Sequence, residues 1–329
     1  MSKWKSIFVF NALILIAGIL SAELYLQHKG IVAPFHHPFA IKSMEPGQIL
    51  LPDSALGVEL RDGTFSVWLN SGLSFKPSHK NGERLGAPTP IHPTSTVWLY
   101  GCSFLYGFGL ADSQVVGAKL SALLHNYAIR NRSVPGYGNV QMYLKMLEDQ
   151  PLWQPGDKVI MTYAPFHGER NAMLLSYRNK LYTFGKNKLA QVSFPQLEET
   201  GGKTNMTHKV FDYPAFPWRA SSHVMYGLEL LRNQVLDNPE QAKAMTRQFL
   251  QQVAQHFKDG PYLVAIARLS YDAPTLALFD TLHSTGIPTL DLSLDFSDTG
   301  NNLMPLDAHP NETAHAYFAN QIAQWITKP

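Results

Sequence analysis

Four short stretches of the sequence place polar or nucleophilic side chains where a turn would present them. In Gly101-Cys102-Ser103-Phe104 the serine follows a buried-strand pattern, so its hydroxyl stands on a tight turn at the strand's end. A serine hydroxyl is a weak nucleophile until a base removes its proton, so catalysis there requires a histidine from elsewhere in the chain. Leu306-Asp307-Ala308-His309-Pro310-Asn311 offers one. His309 would be the base, and Asp307 would accept from its other ring nitrogen and orient the imidazole. Each stretch also has a plainer reading: Ser103 as a turn residue, and 306–311 as a surface loop whose polar residues cap the helix that follows. His315 reads as a residue on the face of that helix.

The other two stretches are Val134-Pro135-Gly136-Tyr137-Gly138 and Thr162 to Asn171, TYAPFHGERN. Glycine permits positive φ and close backbone approach, so the Gly136 N–H can point at a developing oxyanion. The second stretch gathers His167, Glu169, Arg170 and Asn171 behind an apolar run. A loop with a surface Arg–Glu pair is the plainer reading there.

The elements that must position these groups are legible from periodicity. Ser95–Tyr100 and Lys158–Tyr163 are apolar, β-branched runs closed by glycine, or opened by the turn Pro155-Gly156-Asp157. Both predict buried strands. Tyr262 to Ala267 and Pro288 to Leu292 predict two more, and Ala128-Ile129 begins a further short one. Helices are expected from an N-cap at Asp112 onward, over 139–149, over 220–257 with a break at Asn238-Pro239, over 274–285 and over 312–326. Strands alternating with helices imply a mainly parallel sheet covered on both faces. Ligands bind such sheets at the carboxyl ends of strands, where all four stretches fall. Residues 177–215 show no clear period.

Taken together, the stretches resemble the SGNH/GDSL hydrolase family. GCSFLYGFG resembles the family's first block with Ser103 as nucleophile, VPGYG the glycine block with Gly136 as oxyanion donor, and LDAHPN the last block with Asp307 and His309 as acid and base. Asn70-Ser71-Gly72-Leu73 resembles the lead-in of membrane-anchored envelope members. The resemblance covers roughly residues 50–175 and 260–325, and the stretch 177–255 is expected to shape the substrate site. It implies a three-layer α/β/α fold, flavodoxin-like in its sheet, and a serine esterase acting on an ester-linked acyl group of an envelope glycan or lipid, with no metal or organic cofactor. The same triad serves an O-acyltransferase, and an inactive carbohydrate-binding or assembly protein keeps the same fold. Two positions depart from the pattern. Cys102 replaces the aspartate before the serine, where a small buried thiol supports the turn by packing; a thiol nucleophile is the sharper alternative, against which Ser103 holds the matching position. His167 stands where the oxyanion asparagine is expected, with Asn171 as the alternative donor.

Composition bounds the rest. The chain has 329 residues, 45% of them hydrophobic, and a formal charge of +2 from 27 basic and 25 acidic residues. That supports a buried core and argues against a nucleic-acid partner, which calls for a clustered basic face. A single cysteine excludes an intrachain disulfide. Lys3 and Lys5 precede the apolar run Ile7–Ala22, and Glu23 follows it. This order predicts a signal anchor, or a signal peptide cleaved after Ala22, with the rest of the chain outside the cytoplasmic membrane. The expected organisation is a membrane segment over 1–27, a linker and small β-rich lead-in over 28–90, and the hydrolase domain over 91–329.

Overall fold

The computed structural model describes all residues except 1, 2, 87, 89, 186–188, 190 and 329. Helix α1 (Lys3–His28) carries the apolar run, and its window of mean hydropathy 2.2 is long and apolar enough to cross a membrane, with none of it buried. The lead-in follows as short strands: β1 (Ile41–Glu45), β2 (Leu50–Asp53), β3 (Gly57–Leu60), β4 (Gly63–Thr64), β5 (Ser66–Leu69), β6 (Ser74–Phe75), β7 (Ser78–Lys80) and β8 (Glu83–Arg84). They pair antiparallel as β1-β5-β6, β2-β3 and β4-β7-β8. The alternation around Thr64–Leu69 puts Phe65, Val67 and Leu69 inward, where they join the same core as Tyr100 and Tyr137.

Residues 35–38, in the stretch expected as linker and lead-in, are bonded to the turn between β5 and β6. The Asn70 amide donates to the carbonyls of Phe35 (3.2 Å) and His37 (3.1 Å), and the Ser71 N–H donates to Pro38 (2.7 Å).

The central elements are β9 (Ser95–Tyr100), α2 (Ser103–Tyr106), α3 (Val116–Leu123), β10 (Tyr127–Asn131), α4 (Asn139–Asp149), β11 (Lys158–Tyr163), α5 (His167–Asn171) and α6 (Leu175–Gly185). A hairpin, β12 (Ser193–Thr200) with β13 (Lys203–Val210), precedes α7 (His223–Leu236), α8 (Pro239–Phe257), β14 (Leu263–Arg268), α9 (Ala273–Ser284), β15 (Thr289–Asp291) and α10 (Glu312–Thr327). The sheet has the order β10-β9-β11-β14-β15 with every pairing parallel. Side chains alternate across it as the strand period requires. Trp98, Tyr100, Val159 and Met161 enter one core with α4 and α8, while Val97, Leu99 and Ile160 enter the other with α3 and α10. The protein is therefore an α/β fold with helices on both faces of a parallel sheet. The chain leaves β9 for β10 on one side and returns to β11 on the other, so the topological switch lies at the carboxyl ends of β9 and β11.

Buried ion pairs tie the layers together. Asp149 on α4 receives Arg132 bidentately, from Nε and Nη2 at 2.7 Å each, and the Tyr100 hydroxyl at 2.9 Å. Asp112 does not cap a helix as expected. It lies in a 3-10 turn, and its carboxylate is taken by Arg84 at 2.5 Å and the Ser78 N–H at 3.1 Å. Helix α3 starts instead at Val116, whose N–H donates to His315 Nδ1 at 3.0 Å. His315 is, as expected, a residue of the last helix; it lies on the buried face and caps α3.

Candidate active site

Ser103 is the first residue of α2, directly after the turn that ends β9, and is 6% exposed. The preceding Cys102 is fully buried, and its carbonyl accepts from Leu105 and Tyr106, which winds the short helix onto the strand end. As the first residue of a helix, Ser103 has a backbone N–H with no intrahelical acceptor. Among the described residues, the Ser103 hydroxyl makes no hydrogen bond.

His309 is brought to this helix by the loop before α10. Its ring lies 4.8 Å, centroid to centroid, from Phe108 and 5.7 Å from Phe104, two aromatics that follow Ser103 in the chain. Gly109 makes the approach possible. It has φ +91°, and a Cβ there would meet Leu303 Cδ1 at 2.4 Å. Leu303 is bonded to the loop in turn: its N–H donates to the His309 carbonyl at 2.9 Å, and its carbonyl accepts from Asp307 at 3.3 Å. Asn311 closes the loop by donating to Gly300 and Asn302 carbonyls, and its oxygen caps α10 by accepting from Ala314.

Asp307 and His309 form a local pair. Asp307 Oδ1 accepts the His309 backbone N–H at 2.8 Å and bonds the ring through Nδ1. The carboxylate side chain is 4% exposed and the imidazole 26%. With Nδ1–H committed to the carboxylate, the lone pair is on Nε2, which is the tautomer a general base needs.

Gly136 lies at the end of β10 with φ +92°, a conformation glycine adopts without strain. Its carbonyl accepts from the Tyr177 hydroxyl, and among the described residues its N–H has no partner. Arg170 steadies the same loop by donating to the Tyr137 carbonyl at 2.9 Å, with its guanidinium 4.5 Å from the Phe166 ring. Burial pushes the Tyr177 hydroxyl up to about 12, so it remains a donor. Tyr177 belongs to α6, in the stretch without a readable period, and no sequence signal marks it.

His167 is fully buried behind β11. Its Nδ1 accepts from the Ala164 N–H at 3.2 Å, and its Nε2 has no partner. Burial, reinforced by Arg170, holds its pKa well below the usual imidazole range, so it is a neutral donor through Nε2. Asn171 is not a free donor. Its oxygen accepts from Val140 at 3.2 Å, and its amide donates to Thr246 at 3.0 Å and Asn139 at 3.4 Å. A side chain at Gly138 would collide with it at 2.4 Å. Asn171 therefore braces the glycine loop against α8 and is spent on structure. Among the described residues, no His, Cys, Asp or Glu cluster is arranged to hold a metal ion.

The chain is similar to two solved lipolytic proteins described as G-D-S-L family members. One, from Desulfitobacterium hafniense, is 12% identical and matches 70% of this chain and 99% of its own, with a TM-score of 0.36. The other, from Veillonella parvula, is 10% identical and matches 71% and 99%, with a TM-score of 0.35. No protein-family model and no curated protein matches the sequence.

Proposed function

We propose that the protein is a serine ester hydrolase of the SGNH/GDSL type, with Ser103, His309 and Asp307 as its triad. The observation that carries this reading is the Asp307–His309 pair, with the ring bonded through Nδ1 and packed on Phe104 and Phe108, which follow Ser103. Ser103 Oγ attacks the ester carbonyl while His309 Nε2 takes its proton. The carbonyl oxygen becomes an oxyanion, met by the free N–H groups of Ser103 and Gly136 and by His167 Nε2. The tetrahedral intermediate collapses, and the alcohol leaves with the proton returned by His309. Water then attacks the acyl-enzyme with His309 again as base, which frees the acid and Ser103. Catalytic hydrogen bonds are often long before substrate binds and tighten in the Michaelis complex, which fits a Ser103 hydroxyl without a partner. The acyl group is carried by an envelope glycan or lipid. Helix α1 is read as a membrane span that holds the domain outside the cytoplasmic membrane, because Lys5 precedes its apolar run and Glu23 follows it.

Labelling by a fluorophosphonate probe tests the chemistry on the full chain. Labelling of the wild type that disappears in Ser103→Ala is the expected result. Equal labelling of both would remove Ser103 from the mechanism. Labelling lost in Cys102→Ala but kept in Ser103→Ala would make the thiol the nucleophile. A folded wild type that hydrolyses no ester and takes no probe would favour a binding protein on the same fold.

A further inference from the structure

The Arg170 guanidinium stands between two rings that lead to the candidate site. It lies over Phe166 at 4.5 Å and over Tyr177 at 5.8 Å. Phe166 packs on Phe104, the residue after Ser103, with ring centroids 5.3 Å apart. The Tyr177 hydroxyl donates to the Gly136 carbonyl. The cation is thus bracketed by a neighbour of the proposed nucleophile on one side and by the holder of the proposed oxyanion glycine on the other. His167 is close as well: burial lowers its pKa and the Arg170 charge lowers it further. Two rings fix the plane of the guanidinium, so a ligand meets a group already in position.

A guanidinium carries five N–H donors in a rigid fork. Arg170 spends Nη1 on the Tyr137 carbonyl at 2.9 Å. Among the described residues, its Nε and Nη2 have no acceptor, no carboxylate lies within ion-pair distance, and neither nitrogen is sealed in the interior. The nearby carboxylates are engaged elsewhere: Glu169 with Lys180 at 3.2 Å, and Asp307 with His309. Arg132 shows what such an edge takes. It too donates through Nη1 to a backbone carbonyl, that of Asn81, and its Nε and Nη2 hold the two oxygens of Asp149 at 2.7 Å each. The two arginines are held alike, and they differ in the acceptor. Arg132 is buried and has a carboxylate of its own chain, whereas Arg170 is half-buried and has none. Bracing the glycine loop needs the Nη1 bond alone, and a lysine or glutamine would supply that N–H.

We infer that Arg170 selects the substrate: its Nε–Nη2 edge binds a carboxylate or phosphate group borne by the ester, one ring away from the carbonyl that Ser103 attacks. The inference rests on the serine-hydrolase reading and adds to it the charge of the substrate. A guanidinium edge receives either anion through two parallel N–H···O bonds, which a lysine cannot do. The distance is set by the rings. Steps of 5.3 Å and 4.5 Å lead from Phe104 through Phe166 to the guanidinium, and both rings are half-buried, with a side left for the apolar face of the group that joins ester to anion. An ester on an acidic sugar has its anion at that spacing, and a phosphate-bearing sugar supplies the same chemistry.

The test uses the full chain and three acetyl esters of similar shape: 4-acetoxybenzoate, 4-acetoxyphenyl phosphate and the neutral 4-acetoxybenzamide, each rate normalised to hydrolysis by hydroxide. The wild type is expected to favour an anionic ester over the amide by about tenfold or more in kcat/KM, and which anion it favours separates a carboxylate from a phosphate. Arg170→Gln is expected to abolish the preference, while a fall common to all three esters measures the lost brace on Tyr137. Salt gives a check that needs no variant, since the preference of a half-exposed ion pair shrinks as ionic strength rises. Equal kcat/KM on the three esters in the wild type, a preference untouched by salt, or one that Arg170→Gln keeps would overturn the inference. A folded wild type that hydrolyses none of them and takes no fluorophosphonate would overturn it together with the serine-hydrolase reading. Hydrolysis and labelling without an anionic preference would overturn it alone.

Discussion

Replacing Asp307 by asparagine isolates the electrostatic role of the carboxylate from its shape. In the native loop one oxygen, Oδ1, serves both the His309 backbone N–H and the ring Nδ1. An asparagine oxygen at the Oδ1 position keeps both bonds and with them the base tautomer, so what the exchange removes is the carboxylate charge that stabilises the imidazolium. In serine triads this exchange costs about 10⁴ in kcat where the tautomer changes too, about 5.4 kcal/mol of transition-state stabilisation, which is the ceiling here. The assay is hydrolysis of p-nitrophenyl acetate, read as kcat and KM separately, with fluorophosphonate labelling rates beside it. The expected result is a fall of more than about tenfold and at most about 10⁴ in kcat and in labelling rate, with KM nearly unchanged. Thermal unfolding reports whether the loop has stayed in place. A well-folded Asp307→Asn enzyme slowed less than about tenfold would refute the assignment of Asp307 as the orienting acid.

Other perturbations probe the frame around the site. Asp149→Ala leaves the Arg132 guanidinium buried without its bidentate partner and should cost about 3–5 kcal/mol of stability, measured by urea unfolding; Asp149→Asn should cost less. Gly109→Ala imposes strain at φ +91° and a contact with Leu303, so it should lower stability by about 1–3 kcal/mol and slow esterase turnover by displacing the His309 loop. Adding Leu303→Ala should recover the steric part alone. Stability should also fall in mild acid. Burial lowers His315 to about 3 and His79 to about 4, against an unfolded value of about 6.5. The unfolded chain therefore binds protons first: the stability is whole above about pH 6.5 and is lost as pH falls toward the folded values. Each such histidine contributes up to about 1.4 kcal/mol per pH unit. Urea unfolding from pH 7 to pH 5 should show the decline, and His79→Gln should reduce its slope.

The sheet was readable because its strands are continuous apolar runs punctuated by glycine or by Pro155-Gly156-Asp157, and a strand buried on both faces needs nothing else. The break between α7 and α8 was readable because Asn238-Pro239 joins a cap to a helix-starting proline; the Asn238 oxygen does accept from Gln241. The Asp307–His309 pair is local, two residues apart, so its spacing alone brings carboxylate and ring together. Long-range bonds left no such mark. Helix α6 packs on α5 and α7 and the β12–β13 hairpin on β3 and α8, most of them partners far off in the chain, and Tyr177 reaches Gly136 across 41 residues. Asp112 has the residue type of a helix cap, but Arg84 outcompetes the helix for its carboxylate. Asn171 likewise has the type of an oxyanion donor, but Val140 and Thr246 consume its amide. In each case the side-chain chemistry was visible and its partner was not.

The bond between Glu23 and the start of α7 also has a consequence in time. Its two ends are 200 residues apart in the chain. At about 5–20 residues per second, synthesis delivers the second end roughly 10–40 s after the first. Through that interval the Glu23 carboxylate lacks the α7 N–H groups it accepts from, and the end of α1 has no partner there. The central strands β9, β10 and β11 can pair before the interval ends, because none of them needs α7. Docking of α1 is therefore a late event, imposed on a partly formed sheet when His223 and Val224 emerge and claim the waiting carboxylate.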